Sequence, residues 1–206
     1  MAVDPVILAL SASGEETAHT LAAKLGLQVH GRLSRVQKAD AYFDNTLDHA
    51  RDLFAAGVPI IGVCASAILV RAVAPLLANK RAEPPVLSVA EDGSVVVPLL
   101  GGHYGANRLA RDIAEVLGAV AAVTTAGDVA IGVALDEPPA GWRLENPLEA
   151  KSAMAALLAG GGASLSGDAM DEATWLHDMP KGDAVNLVAS LAPVHAKANQ
   201  LVFRPQ

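Results

Sequence analysis

Two stretches of this chain follow one pattern: an uninterrupted apolar run, a turn of small residues, then a segment with apolar positions at helical spacing. Val6-Ile7-Leu8-Ala9-Leu10 runs into Ser11-Ala12-Ser13-Gly14, after which Ala18, Leu21, Ala22 and Leu25 mark one helix face up to Gly26. Residues 59–65 form a second buried-strand pattern, and Ser66 opens a helix expected to reach about Lys80. Strands that are apolar on both sides need helices over both faces of their sheet, so the repetition predicts an α/β chain. Alanine fills 41 of the 206 positions and aromatic residues only 3%, which suits closely spaced layers.

The remaining pattern supports a Rossmann-like, mainly parallel sheet carrying one β-hairpin. Residues 27–45 have no clear period and are expected as loop with one short strand. From Thr46, the positions Leu47, Ala50, Leu53 and Phe54 line a helix that Gly57 stops. The β-rich runs 85–90 and 94–100 flank Glu91-Asp92-Gly93, whose Asp-Gly pair suits a tight hairpin. A helix over 106–117 turns Leu109, Ile113, Val116 and Leu117 inward, Gly118 ends it, and a strand is expected at 121–125. The first domain is expected to close near Asp128. Residues 129–206 read as a smaller α+β domain: a Pro138-Pro139-Ala140-Gly141 connector, a helix from Asn146-Pro147 to about Ala159, and strands near 184–191 and 200–203.

Composition narrows the function. Fifteen Lys and Arg stand against 22 Asp and Glu, and no basic stripe argues for nucleic acid. Residues 1–128 hold ten cations and thirteen anions while the rest holds five and nine, so an anionic ligand is expected in the first part. Cys64 is the sole cysteine and fits a reducing compartment, and the N-terminus lacks the basic region of an export signal, so the expected location is the cytoplasm. The uncharged stretch from Leu53 to Val70 approaches the length of a membrane helix, but Gly57, Pro59 and Gly62 punctuate it as strand, turn and helix, and no membrane partner is expected. The histidines have no metal-ligand spacing with one another or with Cys64, and no protein-bound metal is expected.

One constellation stands out: Pro98-Leu99-Leu100-Gly101-Gly102-His103-Tyr104-Gly105-Ala106-Asn107-Arg108. Gly101, Gly102 and Gly105 allow a ligand close to the main chain, and the free N–H groups of the following helix favour a carboxylate or phosphate. Alternatively the glycines only make the turn, with His103 or Asn107 capping it. Neither phosphate-loop pattern of a standard nucleotide site is present. Ser66 either binds a ligand oxygen or satisfies helix N–H groups. Cys64 has no adjacent cation or base to stabilise a thiolate and reads as core. Arg71, on an otherwise apolar helix, needs a carboxylate partner from the protein or a ligand, while Lys80 and Arg81 suit a solvated helix end. Thr125 and Asp128 end the last strand of the first domain; Asp128 either orients a histidine or starts a helix. Ligands gather at the carboxyl ends of parallel strands, so the turns at 64–66, 101–107 and 125–128 are expected to converge on one edge.

The run Val63-Cys64-Ala65-Ser66-Ala67-Ile68-Leu69-Val70-Arg71, then Lys80-Arg81-Ala82-Glu83-Pro84-Pro85-Val86, then the glycine turn, then Thr124-Thr125 with Asp128, resembles the N-terminal domain of the cobalt-precorrin-5A hydrolase family of cobalamin biosynthesis. The likeness is fullest over about 46–128, and residues 129–205 are similar to that family's central region.

The resemblance implies a cobalt-containing tetrapyrrole substrate rich in acetate and propionate groups, with cobalt carried by the substrate and no separate cofactor. It implies opening of a δ-lactone with loss of acetaldehyde. Arg71, Lys80, Arg81 and Arg108 are then the expected cations, with Ser66, Gly101, Gly102, Tyr104, Gly105, Asn107, Thr125 and Asp128 as further substrate contacts. His103 is the candidate base, a role that rests on imidazole chemistry near neutral pH. Family members also carry a third, C-terminal domain, whereas this chain stops at Gln206. The competing expectation is therefore a corrinoid-binding module that acts with such a domain or with a fused precorrin methyltransferase.

Overall fold

The computed structural model describes residues 3–80, 82–139 and 141–206, with His103 described through its main chain alone. It divides into two compact units, residues 1–123 and 124–206.

The first unit holds β1 (Val6–Ala9), α1 (Glu15–Leu25), β2 (Gln28–Arg32), β3 (Ala41–Phe43), α2 (Thr46–Ala55), β4 (Ile60–Val63), α3 (Ser66–Val73), β5 (Val86–Val89), β6 (Val95–Leu100), α4 (Ala106–Leu117) and β7 (Val120–Ala121). Its seven strands form one sheet in the order β3-β2-β1-β4-β5-β6-β7. The first five are parallel, β6 runs antiparallel to β5, and β7 follows the direction of β6.

Pleating sends alternate side chains to opposite faces. Ile7, Ala9, Ile61, Val63, Leu87 and Val89 pack on one face with Ala18, Leu21, Ala110 and Ile113 from α1 and α4. Leu8, Ile60 and Val86 pack on the other with Ala50, Phe54, Leu69 and Ala72 from α2 and α3. Burying both faces is why these strands read as unbroken apolar runs, and each fully buried Leu or Ile side chain contributes about 1.5–3 kcal/mol.

Several expectations are corrected. The segment 27–45 carries two strands, β2 and β3, with Val29 and Phe43 buried; both are short and half exposed, so their alternation is weak in sequence. The helix opened by Ser66 ends at Val73, seven residues early, as Pro75 turns the chain into a short 3₁₀ turn. Strand β7 is only Val120–Ala121 rather than 121–125. The hairpin, the span of α4 and the left-handed Gly118 (φ 66°) match expectation.

The second unit holds α5 (Ala126–Ala130), β8 (Trp142–Leu144), α6 (Ala150–Leu158), β9 (Ala163–Ser166), β10 (Val185–Ala189) and β11 (Gln200–Pro205). Its sheet has the order β8-β11-β10-β9, with β9, β10 and β11 parallel and β8 antiparallel. Leu187, Leu201 and Phe203 form its core with Leu157 and Leu176, and Trp175 meets the Phe203 ring edge-on at 4.9 Å. Strands β8 and β9 were not anticipated, being three and four residues long. Among the described residues no helix is long and apolar enough to cross a membrane; the Leu53 to Val70 stretch is divided among α2, β4 and α3.

Candidate functional site

The direction of β6 decides where the glycine turn lies. Leu100, the last residue of β6, pairs with Val86, the first residue of β5. The turn over 101–105 therefore leaves the sheet at the amino ends of β4 and β5, the edge opposite the turn at 64–66. The expected convergence of those two turns is corrected: a hairpin reverses the chain, so the carboxyl end of β6 lies beside the amino end of its partner.

The turn is built around left-handed glycines. Gly101 (φ 78°) lies so close to the 84–85 main chain that a Cβ there would stand 2.5 Å from the Pro85 N and Cα. Its carbonyl accepts from the N–H groups of Tyr104 at 2.8 Å and Ala106 at 3.2 Å, closing a short 3₁₀ turn over Gly102–Tyr104. Gly105 (φ 91°) then opens α4 with no capping side chain. Gly102 is exposed, and nothing would lie within 4 Å of a Cβ placed on it. A ligand thus has access to bare main chain one turn before a helix start, where partial positive charge gathers.

Around this edge Asn107 is buried in the first turn of α4, whereas Tyr104 and Arg108 are exposed. Arg71 lies exposed in the last turn of α3, and Lys80 lies exposed on the connection that enters β5. Topology thus brings Arg71, Lys80 and the 101–108 segment to one end of the sheet. Arg81 lies outside the described residues.

Ser66 is the first residue of α3, at the carboxyl edge; Ala65 occupies the cap position and no side chain caps this helix, so the capping role for Ser66 is corrected. Thr125 and Asp128 belong to the second unit, where the Thr125 hydroxyl donates to the Asp128 carboxylate across the start of α5. Cys64 is 5% exposed, and burial, with the Glu91 charge adding to it, pushes its thiol up to about 12, as befits a core residue.

The carboxyl edge holds a feature that the sequence reading missed. A cleft of about 650 Å³ is lined by residues from the turns after β1, β2, β3, β4 and β5, among them Ser11, Arg32, Arg35, Asn45, Ala65 and Glu91. The Glu91 carboxylate accepts from the Ser11 hydroxyl at 2.5 Å and the Ser13 hydroxyl at 2.6 Å, and these bonds hold its carboxyl below the usual range. The available signal was the small-residue turn after β1, but its partners are spread over 80 residues of chain. Among the described residues no group of three or more His, Cys, Asp or Glu is placed to hold a metal ion.

Comparison with known proteins bears on this geometry. Residues 48–128 match the family described as Cobalamin synthesis G N-terminal. Cobalt-precorrin-5A hydrolase of Salmonella typhimurium is 43% identical over 98 residues, 47% of this chain and 27% of that protein. Over residues 48–128 the chain is similar to the N-terminal region of that family. A second relative, cobalt-precorrin-5A hydrolase of Priestia megaterium, is 28% identical over 133 residues, 55% of this chain and 36% of that protein. The matched segments thus span about a third or less of these relatives. A crystal structure described as that of a cobalamin biosynthesis protein G homolog from Sulfolobus solfataricus aligns with all of this chain and 60% of its own, at 18% identity and a TM-score of 0.47. The family match takes in most of α2, the β4 turn and the whole glycine turn, and runs five residues past the end of the first unit.

Proposed function

We propose that the first unit binds a carboxylate-rich, cobalt-containing corrinoid at the amino edge of its sheet, and that the chain takes part in the hydrolytic opening of the δ-lactone of cobalt-precorrin-5A with release of acetaldehyde. The observation that carries the reading is the open main chain at Gly102, followed directly by the uncapped start of α4, within the family match. Peripheral carboxylates of the substrate meet the N–H groups there and the guanidinium and ammonium groups of Arg71, Arg108 and Lys80, which offset an overall charge of −7. Arg81, Tyr104 and Asn107 complete this set in the proposal, and cobalt arrives with the substrate.

In the chemical step His103, as a neutral imidazole, takes a proton from water as its oxygen adds to the lactone carbonyl. The resulting oxyanion is held by main-chain N–H groups at the helix start. Collapse of the adduct expels the ring oxygen, giving the free carboxylate and a hydroxyl on the two-carbon fragment. That hydroxyl then loses its proton and becomes the aldehyde C=O as the C–C bond to the macrocycle breaks, the bonding electron pair and a proton passing to the macrocycle, and acetaldehyde leaves.

The test is acetaldehyde release from purified cobalt-precorrin-5A. His103→Ala is expected to lower turnover at saturating substrate about 100-fold or more with little change in corrinoid affinity. Unchanged turnover removes His103 from the chemistry. A second reading is favoured by the share of the relatives covered, 27% and 36%. In it this segment only holds the intermediate, and the chemistry belongs to a further hydrolase domain or a partner precorrin methyltransferase. Tight corrinoid binding with no acetaldehyde supports that reading.

A further inference from the structure

The carboxyl-edge cleft lies at a topological switch point. From β1 the chain moves outward to β2 and β3, then returns across β1 to β4 on its other side, with α1 and α2 on opposite faces. The turns leaving β1 and β4 therefore part from each other, and the gap between them is where open α/β sheets take their ligands. Leu10 and Ser11 line it from the β1 turn, Cys64 and Ala65 from the β4 turn. Its volume falls within the range of small-molecule sites.

One end of this crevice is already filled. Glu91, on the turn after β5, reaches the hydroxyls of Ser11 and Ser13, and Thr17 of α1 donates to its carbonyl at 2.7 Å. An internal carboxylate thus stands where the diphosphate of a dinucleotide would sit, against the opening of α1. The other end stays open. Half-buried Arg32 ends β2 and exposed Arg35 follows on the next turn; among the described residues neither side chain makes a hydrogen bond or ion pair. Facing them is the start of α3, eight residues long and without a capping side chain. Asp44, Asn45 and Thr46 form the remaining polar rim, and Leu47 and Ile68 add apolar surface.

The geometry points to a second ligand site in this cleft, for a small organic anion with hydroxyl or amine donors: Arg32, Arg35 and the α3 N–H groups hold the anionic group, while Asp44 accepts from the donors. The anionic group is a phosphate monoester or a dicarboxylate, since two guanidinium groups match two negative charges. This site is on the opposite edge from the proposed corrinoid surface and does not depend on it.

Amide chemical shifts are followed during titration of the whole chain with inorganic phosphate, malonate and ribose 5-phosphate. Saturable shifts confined to 10–14, 32–35, 44–47 and 64–68 are expected with at least one of the three. The tighter of phosphate and malonate identifies the anionic group, and ribose 5-phosphate binding more tightly than phosphate assigns the donors. Arg32→Gln with Arg35→Gln is expected to weaken binding about tenfold or more. Ala65→Trp, at an exposed position on the rim, is expected to block binding without touching either guanidinium. The inference is overturned by any of three results: no saturable shift with any probe at about 10 mM, affinity unchanged by the arginine pair, or shifts confined to residues 101–108.

Discussion

Leu100 lies opposite Val86 across the antiparallel β5–β6 ladder, and that pairing sends the glycine turn to the amino edge of the sheet. Two surfaces follow at opposite ends of the same strands. The amino edge carries bare main chain, the start of α4, Arg71 and Lys80. The carboxyl edge carries the cleft lined by Arg32, Arg35 and Glu91.

The two adjacent glycines of the turn should respond differently to one added methyl group. Gly101→Ala forces a left-handed φ and a contact with Pro85, and should cost about 2 kcal/mol or more. Gly102→Ala meets nothing within 4 Å and should unfold at an unchanged urea midpoint. Any loss of corrinoid affinity in Gly102→Ala then reports on ligand approach. Equal midpoints for the two variants would contradict the packing against Pro85.

The His30–His49 pair should make stability depend on pH. His30 Nδ1 lies 2.9 Å from His49 Nε2, and the His49 ring stacks on Phe43 at 4.5 Å. Burial lowers the pKa of both rings; the His30 charge adds to this at His49, while Asp40 and Asp52 oppose it at His30 and His49 respectively. With a folded pKa below the ordinary 6.5, the unfolded chain binds more protons in the interval between the two values. This contribution is therefore complete above 6.5 and is lost as the pH falls through the lowered values. Urea midpoints at pH 7.5 and 5.5 should differ, and His49→Gln should reduce the difference. A midpoint that rises on acidification reverses the sign and refutes the account.

Cys64 should behave as a core thiol although it borders the cleft. Its pKa of about 12 leaves almost no thiolate at pH 8. A disulfide reagent such as DTNB should leave the native chain unmodified at that pH and label it once urea unfolds it. Rapid stoichiometric labelling of the native chain would show an accessible, activated sulfur instead.

Local signals served the sequence reading well where an element is long or its ends carry their own chemistry. The span 106–117 was legible because its apolar spacing is regular and left-handed glycines stand at both ends, Gly105 and Gly118. The hairpin was legible from Asp92-Gly93, where Gly93 takes φ 73°. The edge strands β2 and β3, and the short β8 and β9, were not, because three to five residues with one exposed face leave too little periodicity to separate from loop. Ser66 was misread for a related reason: cap and first helical position differ by one residue, and only main-chain geometry distinguishes Ala65 from Ser66.

By itself the sequence determined the α/β architecture, the doubly buried strands and the glycine turn with its helix, because each follows from side-chain period and backbone freedom within about a dozen neighbouring residues. The family resemblance likewise lay in contiguous blocks. Only the tertiary structure decided which turns share an edge. Strand direction and order are long-range properties, so Arg32, Arg35, Ala65 and Glu91 become neighbours through sheet pairing alone, and the turns at 64–66 and 101–105, each read correctly as a strand-to-helix junction, stand at opposite ends of the sheet.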